Sequence, residues 1–221
     1  MPPLLPNPNF LVVEGAVEKR LIPELIELRG VQWEVAKGRY AVQIQDYDGI
    51  SNILAPGEIE TALKTSGLKA LGIVFDADGL HSDKDYRWNS MVARCKDFGI
   101  ELPATAPAGG VILNLLTGVR FGVWMMPDNV RRGMLETFLL ELVPDQTNPV
   151  FAHAIAAMKK AKEIGAPFRD THEDKASIHT WLSWQDAPGA QLHEAVKFKT
   201  LNSQSPKADA FVQWFRTLFE V

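Results

Sequence analysis

The sequence predicts an α/β fold with a mostly parallel sheet flanked by helices and a helical C-terminal tail. Two short apolar runs end in acids, Leu11-Val12-Val13 at Glu14 and Leu71-Gly72-Ile73-Val74-Phe75 at Asp76-Ala77-Asp78. Strands of a parallel sheet end this way where they reach a ligand-binding rim. The first run leads into a segment of helical spacing, and strand patterns dominate early while helical patterns dominate late.

Asn9 to Glu14 reads as a buried strand, and Ala16 to Leu28 carries Val17, Leu21, Leu25 and Leu28 at helical spacing. Pro23 removes a helical hydrogen bond, so this helix is either kinked or starts later than its pattern. Val31 to Val35 and Tyr40 to Gln45 are expected as strands around Lys37-Gly38, with Glu58 to Leu63 a short helix before Gly67. The next strand runs from Lys69 to Phe75. After Asp78-Gly79, Ser82 is expected to cap a helix ending near Phe98-Gly99, with Asp83 and Asp85 in the first turn, where the helix dipole favours acid. Its apolar positions include Trp88, Met91, Val92 and Cys95.

Val111 to Leu116 and Val119 to Met126 flank Thr117-Gly118 as a hairpin whose second strand ends at Pro127-Asp128. A helix from Gly133 to Val143 is stopped by Pro144, and further helices are expected over Val150 to Ile164, Asp174 to Trp184 and Ala208 to Phe219. The α/β core thus covers residues 9–143 and the helical extension residues 144–221. The extension has too few turns of its own to fold alone and is expected to pack on the core.

Lys plus Arg number 23 against 27 Asp plus Glu, so the molecule as a whole has no field that draws it onto nucleic acid or anionic lipid. Any phosphate contact must be local or metal-mediated. The opening Met1-Pro2-Pro3-Leu4-Leu5-Pro6-Asn7-Pro8 lacks the basic residues and apolar core of a secretory signal and reads as a loose arm. No run approaches the roughly 18 apolar residues that cross a bilayer. Cys95 is the only cysteine, which excludes an internal disulfide and fits a cytoplasmic protein.

Asp76 and Asp78 alternate with Ala77, so in an extended strand both carboxylates project to one side and can share one ion. Asp-x-Asp after a strand serves turn and cap chemistry as well as metal chemistry. Glu14, at the end of another strand, must be solvated, paired or bound to an ion. Glu18 lies one helical turn on, Asp128 ends a third apolar strand and Glu136 follows in the next helix, so a rim of acids is expected. Hard cations such as Mg²⁺ or Mn²⁺ take such oxygens and leave positions for substrate phosphate. For Glu18, an exposed helix acid and a metal ligand are equally open readings.

Glu14-Gly15 followed by Asp76-Ala77-Asp78 resembles the Toprim domain of topoisomerases, DnaG-type primases and OLD-family nucleases. The chain more closely resembles small stand-alone bacterial and archaeal Toprim-like proteins of uncharacterised function. Their further motifs read here as Pro127-Asp128-Asn129, Gly133-Met134-Leu135-Glu136, Asp174-Lys175-Ala176 and His179-Thr180-Trp181. The resemblance implies that Glu14 acts as general acid or base and that Asp76 and Asp78 hold Mg²⁺. Where relatives often carry Asp after Glu-Gly, this chain has Glu18. The activity implied is metal-dependent cleavage or phosphoryl transfer on nucleic acid, with one or two ions.

Lys175 is a candidate phosphate contact or a solvated helix lysine, and Arg131 a candidate substrate contact or an exposed loop charge. The five histidines include no pair at helical zinc spacing, and His179 is expected to pack or hydrogen-bond within its helix. Trp181, Trp184, Trp214, Phe215, Leu218 and Phe219 are expected mainly as core. Two other functions compete. Phe75-Asp76-Ala77-Asp78-Gly79-Leu80 also resembles the nucleophile motif of haloacid-dehalogenase-type phosphatases, with Asp76 attacking phosphate and Asp78 protonating the leaving group. Alternatively the chain is a non-catalytic Toprim-like partner of an ATPase.

Overall fold

In the computed structural model, which describes residues 7–78 and 83–221, the first apolar run forms β1 (Asn9–Val13) and leads into α1 (Ala16–Leu28). The helix starts at Ala16 and continues through Pro23, so the proline does not delay its start. The expected strand over Val31 to Val35 shrinks to β2 (Glu34–Ala36), because Val31 turns into the core. Tyr40 to Gln45 divides into β3 (Arg39–Tyr40) and β4 (Gln43–Asp46). The break falls at Ala41 and Val42, which are buried against the helices. β2 and β3 form a separate exposed ribbon, while β4 joins the main sheet beside β1.

Next come α2 (Ile50–Ile53), α3 (Glu58–Leu63), β5 (Ala70–Asp76) and α4 (Asp83–Lys96). The expected cap at Ser82, the turn at Gly79 and the side chains of Asp83 and Asp85 lie outside the described residues. The hairpin is present as β6 (Val111–Asn114) and β7 (Arg120–Met126), paired antiparallel. The remaining helices are α5 (Leu135–Leu140), α6 (Pro149–Glu163), α7 (Glu173–Leu182), α8 (Leu192–Lys197) and α9 (Asp209–Phe219).

The five-stranded sheet has the order β4-β1-β5-β7-β6, with only β6 antiparallel. From β1 the chain moves outward to β4, then returns past β1 to β5. The order therefore reverses between β1 and β5, whose carboxyl ends flank a crevice of the kind in which open α/β sheets bind ligands.

Alternation along the strands divides the core into two layers. Leu11, Val13, Ala70, Val74, Trp124 and Met126 face α1 and the C-terminal helices, whereas Val12, Leu71, Ile73, Phe75, Val123 and Met125 face α3 and α4. Buried residues of 9–143 and of 144–221 share the first layer, so the tail is an integral wall of the core. Phe211, Trp214, Phe215, Leu218 and Phe219 are buried as their spacing predicts, while Trp184 stays partly exposed and stacks on His153.

Gly72 and Gly122, paired in register on β5 and β7, let α9 lie against the sheet. A Cβ at Gly122 would come within 2.6 Å of Leu218, and one at Gly72 within 2.9 Å. Leu218→Ala will empty this contact and should lower unfolding free energy by about 3 kcal/mol in urea titrations. An unchanged midpoint would show that α9 is not a load on the core.

Candidate functional site

The carboxyl ends of β1 and β5 hold Glu14 and Asp76 side by side. The Asp76 N–H donates to Glu14 Oε2 at 3.0 Å, tying the two strand ends across the crevice. Asp76 continues the face of Ala70 and Val74, so its carboxyl points to α5, where Oδ1 accepts the Leu135 N–H at 2.9 Å. That amide is one of the unpaired donors at a helix start. Asp78 leaves the strand pattern: its φ is +54°, and its N–H donates to the Gly133 carbonyl at 2.7 Å. The simple alternation expected for Asp-x-Asp thus ends at Asp76.

Glu18 and Glu136 complete the group. Both are buried, Glu18 on α1 and Glu136 on α5. Burial first, then the nearby Glu136 and Glu14, push the Glu18 carboxyl up to about 7, against the opposing pull of its own backbone amide and of Lys175. Asp76 is raised well above the usual carboxylate range by burial and then by Glu18, Glu14, Glu136 and Asp78. Of the two open readings of Glu18, the exposed helix acid is therefore set aside: it belongs to the centre.

Two cations touch these acids. Lys175 Nζ lies 3.1 Å from Glu136 Oε1, and burial, which would lower its pKa, is outweighed by Glu136, Asp76 and Glu18. Arg87 of α4 bridges the other side: Nη1 donates to Glu14 Oε2 at 3.1 Å and to the Asp76 carbonyl at 3.0 Å, while Nη2 donates to Asp78 Oδ2. Arg87 is absent from the sequence-based site. Its signal was weak: it sits one residue before Trp88, on the border of the buried stripe Trp88, Met91 and Cys95.

The motif Gly133-Met134-Leu135-Glu136 has a local explanation. Gly133 has φ +128°, and a Cβ there would collide with the Thr137 side chain, 2.7 Å from its Cβ. The expected helix from Gly133 therefore begins only at Leu135, after Met134 in extended conformation, and beyond Leu140 it tightens into three-residue turns. This entry aims the Leu135 amide at Asp76 and Glu136 into the crevice. Thr137 Oγ1 donates to Asp174 Oδ2 at 2.5 Å, which sets α7 so that the adjacent Lys175 reaches Glu136. Gly133→Ala should cost about 3 kcal/mol of stability through steric and backbone strain, read by chemical denaturation.

Asp128 and Arg131 are placed differently from the acid group. Asp128 Oδ1 accepts the N–H groups of Val130 and Arg131, at 3.0 and 2.7 Å, and Oδ2 accepts Arg131 Nε at 2.5 Å. These hydrogen bonds outweigh partial burial and lower the Asp128 pKa. Arg131 also pairs with Glu141 at 2.5 Å. The two residues serve their own turn, so the metal and substrate roles expected of them have no support in their contacts. Asn129 is buried and accepts the Met125 N–H at 2.7 Å, which anchors the end of β7. His179 is exposed on α7 rather than packed.

A family model, DUF3226, described as protein of unknown function, matches residues 8–220. The chain belongs to DUF3226. No curated protein and no solved structure matches it. In this DUF3226 chain the matched span includes every acid and cation of the centre as well as the tail that positions Lys175.

Carboxyl oxygens from four elements meet here, the donor type that hard divalent cations take, beside Arg87 and Lys175. Among the described residues, no group of three His, Cys, Asp or Glu side chains is placed to hold a metal ion as it stands. Arg87 bridges two of these acids, Glu14 and Asp78, with its guanidinium. No helix among the described residues is long and apolar enough to cross a membrane.

Proposed function

We propose that the protein is a Mg²⁺- or Mn²⁺-dependent Toprim-like enzyme that cleaves or transfers phosphodiesters of nucleic acid. The observation that carries this reading is the convergence of Glu14, Glu18, Asp76, Asp78 and Glu136 at the crevice between β1 and β5, with Asp76 driven up by burial and then by its acidic neighbours. A purely structural cluster would be relieved by replacing acids with neutral groups, whereas a site for a cation has reason to keep them. Asp76, Asp78 and Glu18 are the proposed ligands, with Glu136 beside them.

When bound, a divalent ion there supplies charge to polarise the phosphoryl group and to offset the leaving oxygen. The chain's own residues do the rest. In the metal-free centre the Glu18 carboxyl is pushed up to about 7, so on becoming a ligand it would give up its proton. Glu14 is the proposed general acid or base, held in place by the Asp76 amide and Arg87. Arg87 and Lys175 are positioned to take phosphate oxygens once the acids they now hold are otherwise balanced. The phosphatase alternative is less favoured, because Asp76 Oδ1 is engaged by the Leu135 N–H and Asp78, its leaving-group acid, is paired with Arg87.

Incubating the protein with plasmid, single-stranded DNA and RNA should give cleavage that requires Mg²⁺ or Mn²⁺ and stops with chelator. Glu14→Gln should reduce the rate by about a hundredfold or more, in line with loss of a proton-transfer group. Metal-independent cleavage, or none on any of the three, counts against the reading.

A further inference from the structure

Arg87 belongs to two places at once. On one side it holds Glu14 and Asp78, and on the other it lines a cleft of about 650 Å³ between α2 and α4. Ile50 and Leu54 give that cleft an apolar wall, with the Ser51 side chain beside them. The opposite wall is one face of α4 and the residue that follows it, where Arg87, Ser90, Arg94 and Asp97 recur at three- and four-residue spacing. The two arginines are two turns apart, about 10 Å along the helix axis. Arg94 is held in place by Nε donating to the Leu54 carbonyl at 2.7 Å and Nη1 to Asp97 at 2.8 Å. These bonds use only two of the five donors of its guanidinium.

We propose that this cleft seats the substrate, and that it takes a nucleotide-sized phosphodiester, free or as the end of a single strand, rather than a duplex. The inference rests on the phosphodiester reading above and names its substrate class. The volume lies within the range of small-ligand sites. An apolar wall opposite a wall of two arginines, a serine and the Arg94-paired Asp97 matches a ligand with a base or sugar on one side and phosphates on the other. Duplex binding draws on many phosphate contacts, yet the chain has a net charge of −4. Asp78 also lines the cleft, so a phosphate held along Arg94 and Arg87 lies beside one acid of the centre.

Ala93 provides a clean test, since it is exposed on the cleft wall and makes room for a charge without disturbing the core. The full-length protein would be titrated in Ca²⁺ with a fluorescent 5′-phosphorylated thymidine dinucleotide, a short single strand and a blunt duplex of the same length. Mn²⁺ binding would be measured separately by electron paramagnetic resonance. Ala93→Glu should weaken the dinucleotide and the single strand by about tenfold or more and Ala93→Lys should tighten them, with Mn²⁺ binding unchanged. Equal affinity for the two probes identifies a free nucleotide as sufficient, and a clear preference for the strand identifies its end as the ligand; both support the cleft. Tighter binding of the duplex, or affinities that ignore the sign of the charge at residue 93, overturn it. Dinucleotide binding of the expected kind without Mn²⁺ binding supports the cleft while overturning the metal-dependent reading.

Discussion

Asp76→Asn will lower metal-dependent cleavage by about a thousandfold or more, and it will raise the melting temperature of the metal-free protein at pH 8. The two effects have one source. Asp76 is crowded by Glu14, Glu18, Asp78 and Glu136, which together with burial hold its pKa well above the ordinary value. Asparagine keeps an oxygen for the Leu135 N–H, so the link between β5 and α5 survives. What disappears is the cost of holding a carboxyl group buried among other acids, which an ion would otherwise balance. Loss of an ion worth several kcal/mol to a phosphoryl transition state corresponds to a thousandfold or more in rate. Asp76→Ala separates the contributions: it should be equally inactive but less stable by about 1–3 kcal/mol, because the Leu135 amide loses its acceptor. Rate and melting temperature measured on both variants decide the matter. An asparagine variant that is inactive and also destabilised would indicate that Asp76 acts mainly as a structural acceptor.

The pattern of this site explains what the sequence discloses. Glu14 and Asp76 are legible because acids directly after apolar strands have few reasons to be there, and parallel strands deliver their ends to one rim. Register then does what periodicity alone cannot: Val13 opposite Val74 brings Glu14 beside the Asp76 amide. Arg87 is hidden because its partners are 73 and 9 residues away and its helix is anchored by Trp88, Met91 and Cys95. Asp128 misleads for the opposite reason, since an acid at a strand end followed by Arg131 satisfies its turn locally. Strand boundaries fail where tertiary burial overrides alternation, as at Val31 and Ala41. The helix α8 escapes notice because six residues carry too little periodicity, although Gln191 and Glu194 form its capping box.

Metal-free protein should lose stability as pH rises from about 5 to 8, and Mg²⁺ should restore it. Glu18 is raised from 4.5 to about 7, so the folded state keeps a proton that the unfolded chain releases. Below the unfolded value both states are protonated and the contribution is fully present. Between the two values it is lost with increasing pH, and above about 7 the loss is complete, up to about 3 kcal/mol. Asp76, raised for the same reasons, adds in the same direction. For a chain of this size the Glu18 contribution corresponds to a fall of about 6–12 °C in melting temperature. A cation that binds only the folded, deprotonated centre reverses the trend, adding about 2.7 kcal/mol when its concentration is a hundred times its dissociation constant. Melting curves across this pH range, with chelator and with Mg²⁺, give the answer, and Glu18→Gln should flatten the chelator curve. A flat profile in the parent protein would mean that Glu18 titrates as an ordinary acid. A sloping profile that Mg²⁺ and Mn²⁺ leave untouched would mean that Arg87 and Lys175 are the only cations this centre accepts.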